Sequence, residues 1–258
     1  MLYEGDKCIT NEITIVREMT RNEIYALSTG CFKFNNREEI WLNGKLHRED
    51  GPAVKYADNT EEWWLDGKFH RQCGPAIKRI DGTEEWWLNG KMHRQDGPAI
   101  KRANASEEWW LNDNRHRENG PAVKDVNGDE EWWINGKMHR ENGPASKHAD
   151  GSERWYLNGK LHREGAPAIK RADGSYEEWW INGKMHRENG PAVKGPEREE
   201  WWLNHNLHRQ DGPAVEYSNG DQEWWLNGKR HRQDGPAIKG PDGDCRQEWW
   251  LNGVKLIM

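Results

Sequence analysis

Glu84-Glu85-Trp86-Trp87-Leu88-Asn89-Gly90-Lys91-Met92-His93-Arg94-Gln95-Asp96-Gly97-Pro98-Ala99-Ile100 is the fullest form of a phrase that recurs along this 258-residue chain. The second aromatic of each copy falls at Trp41, Trp64, Trp87, Trp110, Trp133, Tyr156, Trp180, Trp202, Trp225 and Trp250. The spacing is 23 residues five times, then 24, 22, 23 and 25. Between these positions lie nine His-Arg pairs, His47-Arg48 to His231-Arg232, and nine Pro-Ala pairs, Pro52-Ala53 to Pro236-Ala237. A fixed period of this length marks an array of supersecondary units, each too small to bury its apolar side alone. The repeats cover residues 37–258, and residues 1–36 lack the phrase.

Asn-Gly between apolar positions is a strong hairpin signal, because a type I′ turn needs positive φ at both central residues. The pair occurs at Asn43, Asn89, Asn135, Asn158, Asn182, Asn227 and Asn252, and Asp66-Gly67 follows the same chemistry. Asn112-Asp113 and Asn204-His205 replace glycine with residues that tolerate the left-handed region. A second, looser turn is marked by Asp81-Gly82, Asn127-Gly128, Asp150-Gly151, Asp173-Gly174 and Asn219-Gly220. All length changes fall around that turn, near Tyr176, Glu197 and Cys245, so one edge is tight and the other variable and exposed.

A two-residue turn at Asn89-Gly90 fixes a register. It pairs Leu88 with Lys91, Trp87 with Met92, Trp86 with His93 and Glu85 with Arg94. Alternation places Trp87, Met92, Glu85 and Arg94 on one face and Trp86, His93, Leu88 and Lys91 on the other. The Glu–Arg pair recurs as Glu62 with Arg71 and Glu131 with Arg140. Alanine after the proline in nine of nine copies predicts close backbone approach, and the displaced glycine of Glu164-Gly165-Ala166-Pro167-Ala168 predicts a local distortion. Two strands of ~4.8 Å spacing per copy advance the array about 10 Å, so nine copies predict a rod on the order of 90 Å long. The fold class expected is all-β: an elongated array of about nine 23-residue hairpin repeats with a small N-terminal α+β cap. In that cap, Ile9 to Val16 alternates as a strand, Thr20-Arg21-Asn22-Glu23 has capping-box spacing, and Ile24 to Leu27 follows as a short helix.

Composition supports this reading. Hydrophobic residues make up 34% and charged residues 32%, too few apolar side chains for a conventional large core, and 18 tryptophans stand in for aliphatic filling. A net charge of −6 gives no electrostatic footprint for nucleic acid and no polybasic membrane signal. No apolar run reaches membrane-spanning length and no signal segment opens the chain. The four cysteines, Cys8, Cys31, Cys73 and Cys245, are scattered, which argues against a disulfide framework or zinc site and for a reducing, cytoplasmic compartment.

The 23-residue period, the aromatic strand, the Asn-Gly-Lys turn and the later Asp-Gly turn resemble the MORN repeat over residues 37–258. The consensus Trp-Leu-Asn-Gly-Lys-x-His-Arg-x-Asp-Gly-Pro-Ala is similar to a divergent variety associated with phages and large viruses. The usual MORN pattern has a Gly-x-Gly step where this chain has His-Arg-x-Asp-Gly-Pro-Ala. The resemblance implies an elongated hairpin array with a non-enzymatic role. It also implies, on the viral side, an accessory protein that blocks or sequesters a host factor.

Two repeated rows are candidate binding residues. One is Arg48, Arg71, Arg94, Arg117, Arg140, Arg163, Arg187, Arg209 and Arg232, which could receive phosphate or an acidic partner. The other is the second-aromatic row, Trp64, Trp87, Trp110, Trp133, Trp180, Trp202 and Trp225, which could stack on bases or glycans. The structural alternative packs both rows: histidine stacks on the first tryptophan, arginine pairs with glutamate, and the second tryptophans lie between copies. Equivalent histidines lie ~10 Å apart, too far to share a zinc ion with ligands at ~2 Å, so no metal or cofactor is expected. The adjacent acids of each Glu-Glu point to opposite faces, and nine near-copies lack the single asymmetric constellation that catalysis needs. The sequence therefore points to a non-enzymatic scaffold for a macromolecular partner, a protein first. A binder of nucleotides, nucleic acid or glycans is the alternative. Self-assembly is a third, since Val254-Lys255-Leu256-Ile257-Met258 either closes the last hairpin or exposes an edge that supports a homo-oligomer.

Overall fold

The computed structural model describes residues 29–241 and 245–257. The expected strand at Ile9 to Val16, the capping box and the short helix lie outside the described residues. All regular structure among the described residues is β, and the chain forms the hairpin repeat array expected from its period. It divides into two compact units, Met1–Val126 and Asn127–Met258.

In the first unit, Thr29–Lys33 pairs antiparallel with Arg37–Leu42, which pairs in turn with Val54–Tyr56. The ladder continues through Glu61–Glu62, Ile77–Lys78, Glu84–Glu85, Ile100–Lys101, Glu107–Glu108 and Val123–Lys124. In the second unit a ladder of the same kind runs from Glu130–Glu131 through Ser146–Lys147, Glu153–Arg154 and Ile169–Lys170 to Glu177–Glu178. It goes on from Val193–Lys194 through Arg198–Glu200, Val215–Tyr217, Gln222–Glu223 and Ile238–Lys239 to Gln247–Glu248. Each copy thus adds two strands to its ladder. One sheet face alternates Lys with Glu, as in Lys55, Glu61, Lys78 and Glu84. The other alternates an aliphatic residue with the second Glu, as in Val54, Glu62, Ile77 and Glu85.

Each copy also carries a short side hairpin. Trp87–Leu88 pairs with Lys91–Met92 in the expected register, Trp87 to Met92 and Leu88 to Lys91. Its turn has φ of 53° at Asn89 and 77° at Gly90, and the glycine-free turns Asn112-Asp113 and Asn204-His205 also hold positive φ at both positions. The looser turn is a wider loop: Arg79 N–H donates to Thr83 O at 2.9 Å, and Asp81 Oδ1 accepts the Thr83 N–H at 2.8 Å.

The register does not run on through the first tryptophan, which corrects the expected Glu85–Arg94 pair. His93 N–H still donates to Trp86 O at 3.1 Å, but Trp86 N–H turns to Ala99 O at 2.7 Å. Glu85 joins the main ladder against Ile77 and Ile100. The physical cause is Gly97-Pro98, which breaks the strand after Arg94 and returns the chain so that Ala99 meets Trp86. The tryptophan backbone is therefore a fork, with its N–H in one pairing and its carbonyl in another. The alanine beside the fork has no room to be larger: Ala76, Ala99, Ala122, Ala145, Ala168, Ala192, Ala214 and Ala237 are all 0% exposed. This matches the close approach expected at that position. In the irregular copy, Gly165 takes φ of 70° and Ala166 precedes the proline, the local change expected there.

At the start of the first unit, Phe32 and Trp41 form a small core with Phe34 and Leu46. Cys31 in that region is disulfide-bonded, which corrects the expectation of no disulfide; Cys73 and Cys245 are free and exposed.

Candidate functional site

The arginine row lies flat on the first tryptophans. Arg71, Arg94, Arg117, Arg140, Arg163, Arg187, Arg209 and Arg232 place their guanidinium carbons 3.7–4.0 Å from the ring centroids of Trp63, Trp86, Trp109, Trp132, Trp155, Trp179, Trp201 and Trp224. In each of these arginines Nη1 donates to the carbonyl of the proline four residues on, for example Arg140 to Pro144 at 3.2 Å and Arg187 to Pro191 at 2.9 Å. In seven of the eight, Arg163 excepted, the glycine before that proline lies under the guanidinium: a Cβ on Gly97 would come within 2.6 Å of Arg94 Cζ. Tryptophan, guanidinium and glycine form a three-layer stack, which is why Gly-Pro follows His-Arg. Arg48 has Ile40 where the other copies have the first tryptophan, and its Nε donates to Asp50 at 2.9 Å.

The second-aromatic row is half-buried between copies. Its indole N–H groups donate to the glutamate two residues earlier: Trp64 to Glu62 at 2.9 Å, Trp87 to Glu85 at 3.1 Å, Trp110 to Glu108 at 3.1 Å and Trp133 to Glu131 at 2.8 Å. Trp180, Trp202 and Trp225 do the same to Glu178, Glu200 and Glu223 at 2.6, 2.7 and 2.9 Å. The other carboxylate oxygen is met by a residue from the variable edge: Tyr56 on Glu62, Arg79 on Glu85, Arg102 on Glu108, Tyr176 on Glu178, Arg198 on Glu200 and Tyr217 on Glu223. These bonds set the protonation behaviour. Burial pushes the Glu108 carboxyl up, but the Arg102 hydrogen bond and charge, with Arg115 and Trp110, outweigh it and hold the group below the usual carboxylate range. Burial first, then the hydrogen bond to Glu178, pushes the Tyr176 phenol up to about 12.

The histidines neither stack on the first tryptophan, as expected, nor face one another. His47, His70 and His93 in the first unit, and His139, His162, His186, His208 and His231 in the second, each reach the next copy's turn. Nδ1 of His70, His93, His139 and His208 lies 2.8–3.0 Å from Oδ1 of Asn89, Asn112, Asn158 and Asn227. The backbone N–H of the same turn residue is also within reach, as at Asn89, 3.2 Å from His70 Nδ1. A proton on Nδ1 is donated to the side-chain oxygen, and a bare Nδ1 accepts the backbone N–H, so either tautomer clips one copy to the next. Among the described residues no group of three or more His, Cys, Asp or Glu side chains could hold a metal ion.

Both rows singled out by sequence thus spend their polar atoms inside the array, and the structure does not gather them on one open face. Sequence reasoning missed the proline carbonyl as the arginine's acceptor and the turn asparagine as the histidine's partner. The second had a signal, since most of these histidines precede that asparagine by 19 residues. What remains exposed and periodic is charge. Lys45, Lys68 and Lys91 in the first unit, and Lys137, Lys160, Lys184 and Lys229 in the second, follow the tight turns and are exposed. The stems of Lys45, Lys68, Lys137, Lys160 and Lys229 pack across the next turn, as shown by Lys68 Cβ lying 3.4 Å from a Cβ added to Gly90. Beyond the His-Arg pairs stand freely exposed carboxylates: Glu49, Asp96 and Glu118 in the first unit, Glu164, Glu188 and Asp234 in the second.

No protein-family model matches the sequence, and no curated protein matches it. No helix among the described residues is long and apolar enough to cross a membrane.

Proposed function

We propose that the chain is a non-enzymatic repeat scaffold that holds a protein partner through its periodic exposed charges. The observation that carries this reading is the division of labour in each copy. The arginine, both tryptophans, the buried glutamate and the histidine are engaged internally, whereas the turn lysine is held in place by its stem with its ammonium in water. A fixed column of lysines ~10 Å apart suits a partner with regularly placed acidic groups, and many weak pairs of ~0.2–1 kcal/mol each sum to specificity. The resemblance of the repeat to the viral variety makes a host factor the partner to test first.

The test is affinity purification from a candidate host with mass spectrometry, followed by binding measurements on the purified pair. The triple variant K137E/K160E/K184E should fold and should weaken the complex by at least about tenfold, with binding falling as salt rises. Recovery of no stoichiometric partner, or a complex indifferent to both salt and charge reversal, would overturn the reading. Binding of oligonucleotides by the same lysines is the competing outcome, which the overall charge of −6 disfavours.

A further inference from the structure

One copy breaks the Glu–Trp pairing that the others share. Where they have the buried glutamate it has Arg154, and where they have the second tryptophan it has Tyr156. The two changes are coupled by chemistry: tyrosine lacks the indole N–H that fixes the carboxylate, so a glutamate there would lose its donor. The strand opposite is also altered. Arg154 pairs across to Ser146, a position that is Val or Ile in the equivalent strands of other copies. Backbone pairing is kept, with Arg154 also opposite Ile169.

The result is a local reversal of charge. Arg154 is exposed, and none of the described residues forms an ion pair or hydrogen bond with its guanidinium or with the Tyr156 hydroxyl. His148 occupies the position from which Arg79, Arg102, Tyr56 and Tyr217 reach the glutamate six residues on, and the residue six on from it is Arg154. Ser146 Oγ lies 3.4 Å from His148 Nε2, and His148 Nδ1 lies 3.5 Å from Asp129 Oδ2. The acids that flank this place on the same face, Glu131 and Glu178, are bonded to Trp133 and Trp180 at 2.8 and 2.6 Å. Asp129 is turned to His148 and to the Ala149 N–H at 2.8 Å, so no carboxylate of the described residues meets Arg154.

We propose that this position is an oxyanion site. An external carboxylate or phosphate group is received where the other copies place their own glutamate carboxylate. The Arg154 fork supplies two parallel N–H donors and the Tyr156 hydroxyl a further one, while Ser146 Oγ and His148 stay bonded to each other and His148 to Asp129. The reading stands independently of any protein partner of the lysine columns.

The decisive variant is R154E/Y156W, which writes the common Glu–Trp pair back into this copy and therefore folds on the pattern its neighbours already use. Inorganic phosphate and acetate are titrated separately into the full chain, with the arginine side-chain N–H resonances observed by NMR and folding checked by thermal unfolding. The wild type should show a saturable shift of the Arg154 Nε–H. The double variant and R154Q should bind at least about tenfold more weakly, with unfolding temperature unchanged or raised in the double variant. A stronger response to phosphate than to acetate identifies the site as one for phosphate, and the reverse as one for carboxylate; either supports the proposal. No saturable shift at Arg154, or equal binding by wild type and R154E/Y156W, overturns it and leaves the exchange as a structural substitution.

Discussion

Replacing Arg140 with methionine tests the assignment of the arginine row to the fold. Arg140 lies 3.9 Å over Trp132, donates to Pro144 O at 3.2 Å, and covers Gly143, whose added Cβ would sit 2.8 Å from the guanidinium carbon. Methionine keeps an unbranched stem that can lie between the ring and the glycine. It removes a hydrogen bond from a charged donor, which contributes ~1.5–3 kcal/mol, and a cation–π contact of about 0.5–2 kcal/mol. It returns ~0.3–1.5 kcal/mol as a sulfur–aromatic contact. The net expected loss is roughly 2–3 kcal/mol, or a fall in unfolding temperature of about 6–15 °C for a unit of this size. Urea denaturation followed by tryptophan fluorescence measures it. A double-mutant cycle with Trp132→Leu should give a coupling of ~1 kcal/mol or more. A loss below ~0.5 kcal/mol, the range of ordinary surface substitutions, together with zero coupling to Trp132, would refute the stack and return the arginines to the role of a free binding row.

Ala105 holds φ of 68° where other copies use Gly or Asn, so Ala105→Gly should stabilise the first unit by roughly 0.5–1 kcal/mol in urea titrations. Glu108 is held below its ordinary pKa in the folded chain, so its contribution is present above the unfolded carboxyl value and is lost as pH falls through the folded one. Acid titration of stability should therefore show a loss at and below pH ~4.5 that Arg102→Leu diminishes. The Tyr176 phenol, pushed up to about 12, favours the folded state below the ordinary value of ~10 and loses that effect as pH rises through the folded value; Tyr176→Phe should remove the last-titrating component of tyrosinate absorbance. Hydrogen exchange should be fastest, within the second unit's ladder, at the strands holding Ser146 and Arg154, and slower at Ile169–Lys170 and Glu177–Glu178.

The turns were legible because their requirement is local: only residues tolerant of positive φ occupy Asn89-Gly90 and its equivalents, and that fixes Trp87 against Met92. The invariant alanine was legible for a similar reason, since a methyl in every copy signals a place with no space to give. The fate of Arg94 and His93 was not. Alternation read outward from the turn assumes a strand that continues, and Gly97-Pro98 ends it two residues too soon. The chain then returns to pair Ala99 with Trp86, a non-local contact that the two-residue periodicity cannot encode. Histidine went astray for a related reason: its partner lies in the next copy, and a reading confined to one hairpin supplies only partners from that hairpin.

Near-identical copies also show which residues are bound to one another by structure and which are free to serve something else. The glutamate, the indole and a Tyr or Arg from the variable edge form a closed set at Glu62, Glu85, Glu108, Glu178, Glu200 and Glu223. Losing the indole alone would strand a half-buried carboxylate, at a cost of about 1–3 kcal/mol. Exchanging the carboxylate together with the indole avoids that penalty but leaves Arg154 without an internal partner, and the serine opposite, as buried as Val193, Val215 or Ile77 and bonded to His148 at 3.4 Å, gives up their apolar side chain. Stability alone does not account for the combination at Ser146, Arg154 and Tyr156. The proposed anion site does, because an unpaired guanidinium at the surface explains why the carboxylate and its indole donor are exchanged together at one position in the second unit.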